Sequence, residues 1–189
     1  MRGLIGILSL LLIAGLAMAT TYHVPGQYST IQAAINVCSN GDVVLVADGT
    51  YMGTGNKNLD FGGRIITLRS ESGPANCIID CQNSGRGFYF HTGESSEARV
   101  MGFTVKNGSS TMGGGVNITN SSPTFKNCII ASNVSSNSYG GGIYVSSGNP
   151  QFINNTIYGN SAKYGGAMYA TSTSMLVNSN IVASNVSSG

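Results

Sequence analysis

The stretch Gly113-Gly-Gly-Val-Asn-Ile118 returns twice later in the chain, as Gly140-Gly-Gly-Ile-Tyr-Val145 and as Gly165-Gly-Ala-Met-Tyr-Ala170. The three copies begin 27 and 25 residues apart. A repeat with a period in this range is typical of architectures in which similar units stack on one another. The repeat therefore decides the fold, whereas it indicates little about biochemical activity.

The repeat continues beyond the glycines as columns of aligned side chains. The apolar columns are Val116/Ile143/Met168, Ile118/Val145/Ala170, Phe125/Phe152/Val177 and Ile130/Ile157/Val182. A polar column, Asn133/Asn160/Asn185, runs beside them. Val100 and Val105 lie 25 residues before Phe125 and Ile130, so the repeat reaches back to at least Gly87.

Within one unit the pattern is that of short strands. In Val116-Asn-Ile118 and Ile143-Tyr-Val145 the apolar residues alternate with a middle residue, which places them on one face of a strand. Ser, Asn, Gly and Pro separate these segments and indicate turns. Short strands in units of about 25 residues predict an all-β chain folded as a parallel β-helix, a solenoid in which each strand pairs with its counterparts in neighbouring units.

The glycines themselves have two candidate roles. A structural corner needs residues without a Cβ, because the backbone turns sharply or approaches another segment closely. A phosphate-binding loop would require a following Gly-Lys-Ser/Thr and the start of a helix, and the sequence has neither after Gly113, Gly140 or Gly165. The sequence therefore favours structural corners.

The amino terminus has a different character. A basic start at Arg2, an apolar run from Leu4 to Leu16 and the Ala17-Met-Ala19 site are typical of a secretory signal peptide. We therefore expect residues 1–19 to be a signal peptide and residues 20–189 to form the mature β-helix. This predicts a secreted, extracellular or cell-surface protein with no transmembrane segment after signal cleavage.

One helix is predicted between the signal and the repeats. Residues 28–40 combine a Ser/Thr N-cap with apolar Ile31, Ala34, Ile35 and Cys38 at helical spacing. We expect this helix to cap the open end of the first coil, since the terminal units of solenoids need a cover. The coils would then occupy residues 42–189, with Val43–Ala47 as the first strand.

The segments Ser29-Thr-Ile-Gln-Ala-Ala-Ile-Asn36 and Gly41-Asp-Val-Val-Leu-Val-Ala-Asp-Gly-Thr-Tyr51 resemble the amino-terminal edge of the pectin-lyase-like right-handed β-helix superfamily. The later Gly-Gly-Gly-Ile and Phe152-Ile-Asn-Asn155 units resemble the repeats of bacterial polymorphic outer-membrane proteins. The resemblance covers nearly all of residues 22–189. It implies a right-handed helix with either carbohydrate chemistry or surface display, including display at a bacterial outer membrane.

The charge pattern limits the partners. Charged residues make up 8% of the chain and the net charge is +2, which favours neither nucleic acid nor an anionic membrane as a partner. Every carboxylate side chain lies at or before Glu97. The last three repeats therefore lack the carboxylates on which glycoside hydrolysis depends.

An enzyme is one of two functional hypotheses, and the sequence leans against it because no catalytic motif is recognisable. A polysaccharide lyase or hydrolase would need a carboxylate pair or an acidic metal-binding cluster with a base. The early repeats offer only scattered candidates: Asp60, Asp80, His91, Glu94, Glu97 and Arg99. None of them has diagnostic spacing, so no catalytic residue is assigned and no cofactor is expected.

A non-catalytic module for adhesion or carbohydrate binding is the other hypothesis. Tyr144 and Tyr169 occupy the outward position of one strand in successive repeats, and Tyr139 and Tyr164 precede the glycine corner at the same spacing. Aromatic faces on a polar surface suit sugar rings, so these four tyrosines are the predicted carbohydrate-binding residues. A tyrosine ladder that only covers the backbone is the alternative. The expected partners are polysaccharides or cell-surface components.

The remaining polar and sulfur-containing residues receive structural interpretations. The asparagine column predicts a ladder of side-chain amides, bonded to each other and to the local backbone. Disulfides are open for four cysteines in an exported chain: Cys38, Cys77, Cys81 and Cys128. Cys128 is expected to be a buried thiol, and no metal site is expected because no Cys-x-x-Cys pair occurs. Because the last repeat shows no cap, we expect a carboxy-terminal continuation or a partner to cover that end.

Overall fold

The computed structural model describes residues 18–189, and the predicted signal peptide lies outside the described residues except for Met18 and Ala19. One helix and twenty strands occur in that range. In chain order they are β1 (Thr21–Val24), α1 (Ile31–Val37), β2 (Val43–Val46), β3 (Gly49–Tyr51), β4 (Thr67–Ser70), β5 (Cys77–Asp80), β6 (Phe88–Phe90), β7 (Arg99–Met101), β8 (Thr104–Lys106), β9 (Val116–Thr119), β10 (Thr124–Lys126), β11 (Ile129–Ala131), β12 (Val134–Tyr139), β13 (Ile143–Ser146), β14 (Gln151–Ile153), β15 (Thr156–Tyr158), β16 (Ser161–Tyr164), β17 (Met168–Thr171), β18 (Leu176–Asn178), β19 (Ile181–Ala183) and β20 (Val186–Ser187).

The strands stack into four parallel sheets, which confirms the predicted parallel β-helix. Sheet A has the order β1-β2-β4-β7-β10-β14-β18, and sheet B has the order β3-β5-β8-β11-β15-β19. Sheet C has the order β6-β9-β13-β17, and sheet D has the order β12-β16-β20. Each strand of sheet A belongs to a different coil, so the solenoid has about seven turns.

The register follows the columns that the repeat predicted. Ile143 pairs with Val116 on one side and with Met168 on the other. Phe125 pairs with Val100 and Phe152, and the same alignment holds for Val105, Ile130, Ile157 and Val182. The period of the sequence is therefore the period of the coil.

The core runs along the axis of the solenoid. All six phenylalanines of the chain are fully buried: Phe61, Phe88, Phe90, Phe103, Phe125 and Phe152. Phe125 and Phe152 stack across adjacent coils with ring centroids 5.7 Å apart. Burial of each such side chain contributes about 1.5–3 kcal/mol, and an isolated coil cannot complete it without its neighbours.

The glycine corners have the predicted structural role. Gly113, Gly140 and Gly165 have φ of +65°, +68° and +65°, a region that side chains with a Cβ rarely adopt. The next glycines allow close backbone approach, because a Cβ on Gly141 would lie 2.5 Å from the carbonyl oxygen of Gly166. These corners turn the chain from sheet D into sheet C.

Two features of the amino-terminal region differ from the sequence prediction. The helix spans Ile31–Val37 rather than residues 28–40, because Thr30 is its N-cap and Cys38 already has an extended backbone. The first strand is β1, which pairs with β2 and was missed because only Val24 in it is buried. The helix buries Ile31, Ala34 and Ile35 and contacts β1 and β2, while its capping role stays a prediction.

The last coil exposes side chains that are buried in earlier coils. Val177 and Val182 occupy the core columns of Phe152 and Ile157, yet they are 52% and 57% exposed. Leu176, Ile181 and Val186 are exposed beside them. The expectation that a continuation of the chain or a partner covers these residues stays a prediction.

Candidate functional site

The four predicted tyrosines lie together on one surface of the solenoid. Tyr144 in β13 and Tyr169 in β17 are register partners in sheet C. The chain neighbours of Tyr144 are Ile143 and Val145, which are fully buried, so the alternation of the strand directs the Tyr144 side chain outward. The two rings are 6.0 Å apart between centroids and only 2° from parallel.

Tyr139 and Tyr164 form a second pair at the ends of β12 and β16 in sheet D. Their ring centroids are 5.2 Å apart with an interplanar angle of 23°. Gly140 and Gly165 follow them directly and turn the chain into sheet C. The two tyrosine pairs therefore lie on either side of the glycine corner.

The two pairs are joined by a contact that the sequence did not predict. The rings of Tyr139 and Tyr169 are 4.5 Å apart between centroids and tilted by 52°. Tyr139, Tyr144, Tyr164 and Tyr169 thus make one continuous surface, here called the tyrosine cluster. Lys163 adds a cation, with its Nζ 5.2 Å from the centroid of the Tyr164 ring.

The exposure of the tyrosine cluster is compatible with both interpretations of these residues. Tyr164 is 38% exposed, and the other three side chains are partly exposed. Because the rings pack on one another, they cover backbone as a ladder would. Because part of each side chain still meets solvent, the same rings offer an aromatic face to a ligand.

The Tyr144 column continues into earlier coils with different residues. Asn117 pairs with Tyr144, and Tyr89 pairs with Asn117. Asn117 is buried and donates from Nδ2 to the carbonyl oxygen of Met112 at 3.1 Å. Tyr89 was missed as a member of this column, although its alternation with buried Phe88 and Phe90 is a usable signal.

Tyr89 belongs to a separate group of polar and aromatic side chains. Its ring stacks on His91 at 4.1 Å between centroids, and the Cζ of Arg86 lies 5.0 Å from the Tyr89 centroid. His91 Nε2 lies 3.1 Å from Asp60 Oδ2, and both side chains are 37% exposed. Of the six scattered candidates for catalysis, Asp60 and His91 are the one pair within the described residues whose side chains lie within hydrogen-bonding distance of each other.

The other catalytic candidates lie in different parts of the solenoid. Asp80 lies in sheet B, where it accepts from Asn107 Nδ2 at 3.0 Å and lies 3.6 Å from Lys106 Nζ. Arg99 lies in sheet A. Burial works to raise the pKa of Asp80, but hydrogen bonds from Gln82 and Asn107 and the charge of Lys106 outweigh it and hold that pKa below its ordinary value.

Glu94 is a buried carboxylate with a structural environment. It is 1% exposed and accepts from the backbone N–H of Gly63 at 2.9 Å, from the N–H and hydroxyl of Thr92 and from the Ser121 hydroxyl at 2.8 Å. Burial works to raise its pKa, but these donated hydrogen bonds outweigh burial and lower it. Glu94 is therefore an ionised carboxylate whose hydrogen bonds link three segments of the chain.

The asparagine column forms the predicted ladder. Asn133 Nδ2 donates to Asn160 Oδ1 at 3.0 Å and to the carbonyl oxygen of Val105 at 3.1 Å. Asn160 repeats the pattern with Asn185 and Ile130. Both Asn133 and Asn160 are fully buried, so their amides serve the backbone and not a ligand.

A second ladder was not predicted from the sequence. Asn155 Nδ2 donates to Asn180 Oδ1 at 3.0 Å, and Asn155 Oδ1 accepts from the backbone N–H of Cys128 at 2.9 Å. Cys128 therefore occupies the ladder position of its own coil. Because this coil has a cysteine at the position, the series contains two asparagines, Asn155 and Asn180, and the sequence repeat did not reveal it as a ladder.

The four cysteines are buried and none forms a disulfide, which confirms the buried thiol expected for Cys128. Burial raises the pKa of Cys38 and Cys128 to about 11 and that of Cys77 and Cys81 to about 12. Such thiols stay protonated and unreactive at neutral pH.

Residues 18–189, the part of the chain that the structure describes, contain neither a metal-binding cluster nor a membrane-spanning helix. No group of three or more His, Cys, Asp or Glu side chains there is arranged to hold a metal ion. No helix there is long and apolar enough to cross a membrane.

No protein-family model matches the chain, and no curated protein and no solved structure is significantly similar to it. The fold and the geometry of the surface therefore carry the functional argument.

Proposed function

We propose that the chain is a secreted or surface-displayed, non-catalytic β-helix module that binds carbohydrate or mediates adhesion. The observation that supports this is the tyrosine cluster, in which Tyr139 and Tyr169 join two stacked pairs into one surface. A solenoid presents such a surface as a rigid, extended array, because each ring is fixed by the register of its coil.

The chemistry of the cluster suits a sugar. A tyrosine combines an apolar ring with a hydroxyl that can donate or accept, so one side chain serves both the apolar face and the hydroxyl groups of a pyranose. The coils that carry the cluster contain no carboxylate side chain, which favours binding without hydrolysis.

Affiliation with the pectin-lyase-like superfamily, and with the repeats of bacterial polymorphic outer-membrane proteins in particular, is part of the proposal. It rests on the resemblance of residues 22–189 and on the parallel β-helix with about seven turns. The predicted signal peptide supports export, and with it an extracellular or outer-membrane location.

Retention on a polysaccharide affinity gel tests the proposal. The double variant Tyr144→Ala with Tyr169→Ala should lose retention while keeping the circular dichroism spectrum of a β-solenoid. Tyr158→Ala is the control, because Tyr158 is 45% exposed and lies on sheet B, away from the cluster. Unchanged retention of the double variant would show that the tyrosines do not bind the polysaccharide and form a structural ladder instead.

A polysaccharide lyase or hydrolase is the second candidate, and the Asp60–His91 contact at 3.1 Å is what favours it. Any sugar-cleaving activity that depends on this pair should vanish in Asp60→Asn and in His91→Gln. An assay for new reducing ends and for unsaturated products on a panel of polysaccharides makes the comparison. We expect no turnover from the unmodified chain, and turnover lost in both variants would establish the enzyme instead.

A further inference from the structure

The outer face of sheet A carries a groove that contains neither the tyrosine cluster nor the Asp60–His91 pair. It has a volume of about 370 Å³ and is lined by residues of β7, β10 and β14, among them Arg99, Met101, Thr124, Lys126 and Gln151. The tyrosine cluster lies on sheets C and D, so the two surfaces belong to different faces of the solenoid.

The register explains why these side chains meet. Val100, Phe125 and Phe152 are buried at the centre of their strands, so the residues on either side of each point outward. Pairing of the strands aligns Arg99, Thr124 and Gln151 in one outward column. A second column aligns Met101, Lys126 and Ile153.

A third cation extends the surface toward the amino terminus. Arg69 is the register partner of Met101 and lines an adjoining groove of about 250 Å³ that shares Met101 with the first. With strands ~4.8 Å apart and outward residues ~6.6 Å apart along a strand, the Cα atoms of Arg69 and Lys126 each lie about 8 Å from that of Arg99. The Cα atoms of the three cations therefore form a triangle, and Met101 lies between Arg69 and Lys126 on one of its sides.

These cations have no carboxylate partner within the described part of the chain. The two ion-pair contacts there are His91 with Asp60 and Lys106 with Asp80. The nearest acids in sequence, Glu71 and Glu97, lie beyond the 4.0 Å ion-pair distance from Arg69, Arg99 and Lys126. Neither glutamate lines either groove, so the cationic side chains there have no carboxylate among the residues that line the grooves with them.

We propose that this groove binds a polysaccharide that carries sulfate esters. Arg99, Lys126 and Gln151 approach from three successive coils, so their donors converge from three directions. A sulfate ester presents three terminal oxygens that can accept from such donors, whereas a carboxylate presents two in one plane. Met101 and Ile153 supply an apolar floor for the sugar ring, and the groove holds no aromatic side chain on which a nucleobase would stack.

Affinity electrophoresis of the full chain through gels that contain dextran sulfate, dextran or polygalacturonate tests the proposal. We expect strong retardation by dextran sulfate and weak retardation by the other two polymers. The double variant Arg99→Gln with Lys126→Gln should lower the affinity for dextran sulfate about tenfold or more, because it removes two charged hydrogen-bond donors from the groove. Retardation should also weaken with added salt.

A matched control separates this site from net charge. Lys57→Gln with Lys106→Gln removes the same charge from residues that line neither groove, and it should leave dextran sulfate binding within about threefold of the original. Equal losses in the two double variants would overturn the proposal, as would equal retardation by polygalacturonate. Duplex DNA binding that matches dextran sulfate and depends on Arg99 would replace the polysaccharide with nucleic acid.

The test is independent of the tyrosine cluster. Tyr144→Ala with Tyr169→Ala should leave retardation by dextran sulfate unchanged, because these residues lie outside the groove. Loss of neutral-polysaccharide binding in that variant, with the sulfated polymer still bound, would show two separate surfaces. Loss of both ligands in the tyrosine variant would contradict the assignment to sheet A.

Discussion

The rings of Tyr139 and Tyr169 lie 4.5 Å apart across the glycine corner, although the two residues belong to different sheets and different coils. This contact makes one surface out of two stacked pairs. It depends on the turn at Gly140, whose φ of +68° directs β13 back past the end of β12. The candidate binding surface is therefore a product of the corner geometry.

Tyr139→Ala should destabilise the protein by about 1–2 kcal/mol, because Tyr139 contacts two rings and each aromatic pair contributes about 0.5–1.5 kcal/mol. Tyr139→Phe keeps both ring contacts and should leave stability nearly unchanged. Urea unfolding followed by circular dichroism measures the difference. If Tyr139→Ala unfolds at the same urea concentration as Tyr139→Phe, the ring contacts contribute no stability.

Asn160→Ala should lower the free energy of unfolding by about 2–4 kcal/mol, since it leaves the buried carbonyl oxygen of Ile130 and the backbone N–H of Asn133 without their side-chain partner. Asn185→Ala is the graded comparison, because Asn185 occupies the same ladder position in the exposed last coil. We expect a clearly smaller loss there in the same unfolding experiment. Equal losses would mean that burial does not set the strength of the ladder.

Glu94→Gln should destabilise the protein by about 1–3 kcal/mol at pH 7, because an amide presents one acceptor oxygen to the donors that the carboxylate now serves. The pKa of Glu94 is lowered in the folded state, so its stabilising effect is complete above the unfolded pKa of about 4.5 and is lost as the pH falls. The difference in the free energy of unfolding between the original protein and Glu94→Gln should therefore become smaller toward pH 3. Glu97→Gln, at an exposed carboxylate, should leave stability at pH 7 nearly unchanged.

The buried thiols predict a loss of stability at alkaline pH. The folded pKa values of Cys77 and Cys81 are about 12, against an ordinary value of 9.0, so the unfolded chain releases these protons first. Stability should therefore fall as the pH rises above about 9, and the fall should be shallower in Cys77→Ala with Cys81→Ala. Thermal melting between pH 8 and 11 measures the slope, and an identical slope in the variant would assign the loss to other groups.

How much the sequence predicted depended on whether a feature repeats. The register of Val116, Ile143 and Met168 followed from their spacing, because in-register stacking converts a sequence period directly into pairing. The asparagine ladder of Asn133 and Asn160 followed for the same reason. Features that occur once, such as β1 with its polar residues, carried no such signal.

The sequence failed where the relevant geometry lies between repeats or sheets. The Tyr139–Tyr169 contact depends on the angle at a corner, which no spacing reveals. The sheet A groove depends on Arg99 and Lys126 being outward neighbours, and a set of scattered charges gave no hint of that alignment. The catalytic candidates Asp80 and Arg99 lie in different sheets, and Glu94 is buried in the loop between β6 and β7, so their closeness in sequence does not bring them together.

The first two glycine corners lie 27 residues apart and the next two 25, and the two additional residues are located between Asn133 and Tyr139. Tyr139 follows Asn133 by six positions, whereas Tyr164 follows Asn160 by four, and the pairing of β12 with β16 shifts between Ser135 and Tyr139. The two extra residues leave Phe125, Ile130 and Ile143 in register with their neighbours. The scaffold thus accepts changes in length directly beside the tyrosine cluster, so variants with inserted loops at residues 136–138 offer a route to new ligand specificity on an unaltered core.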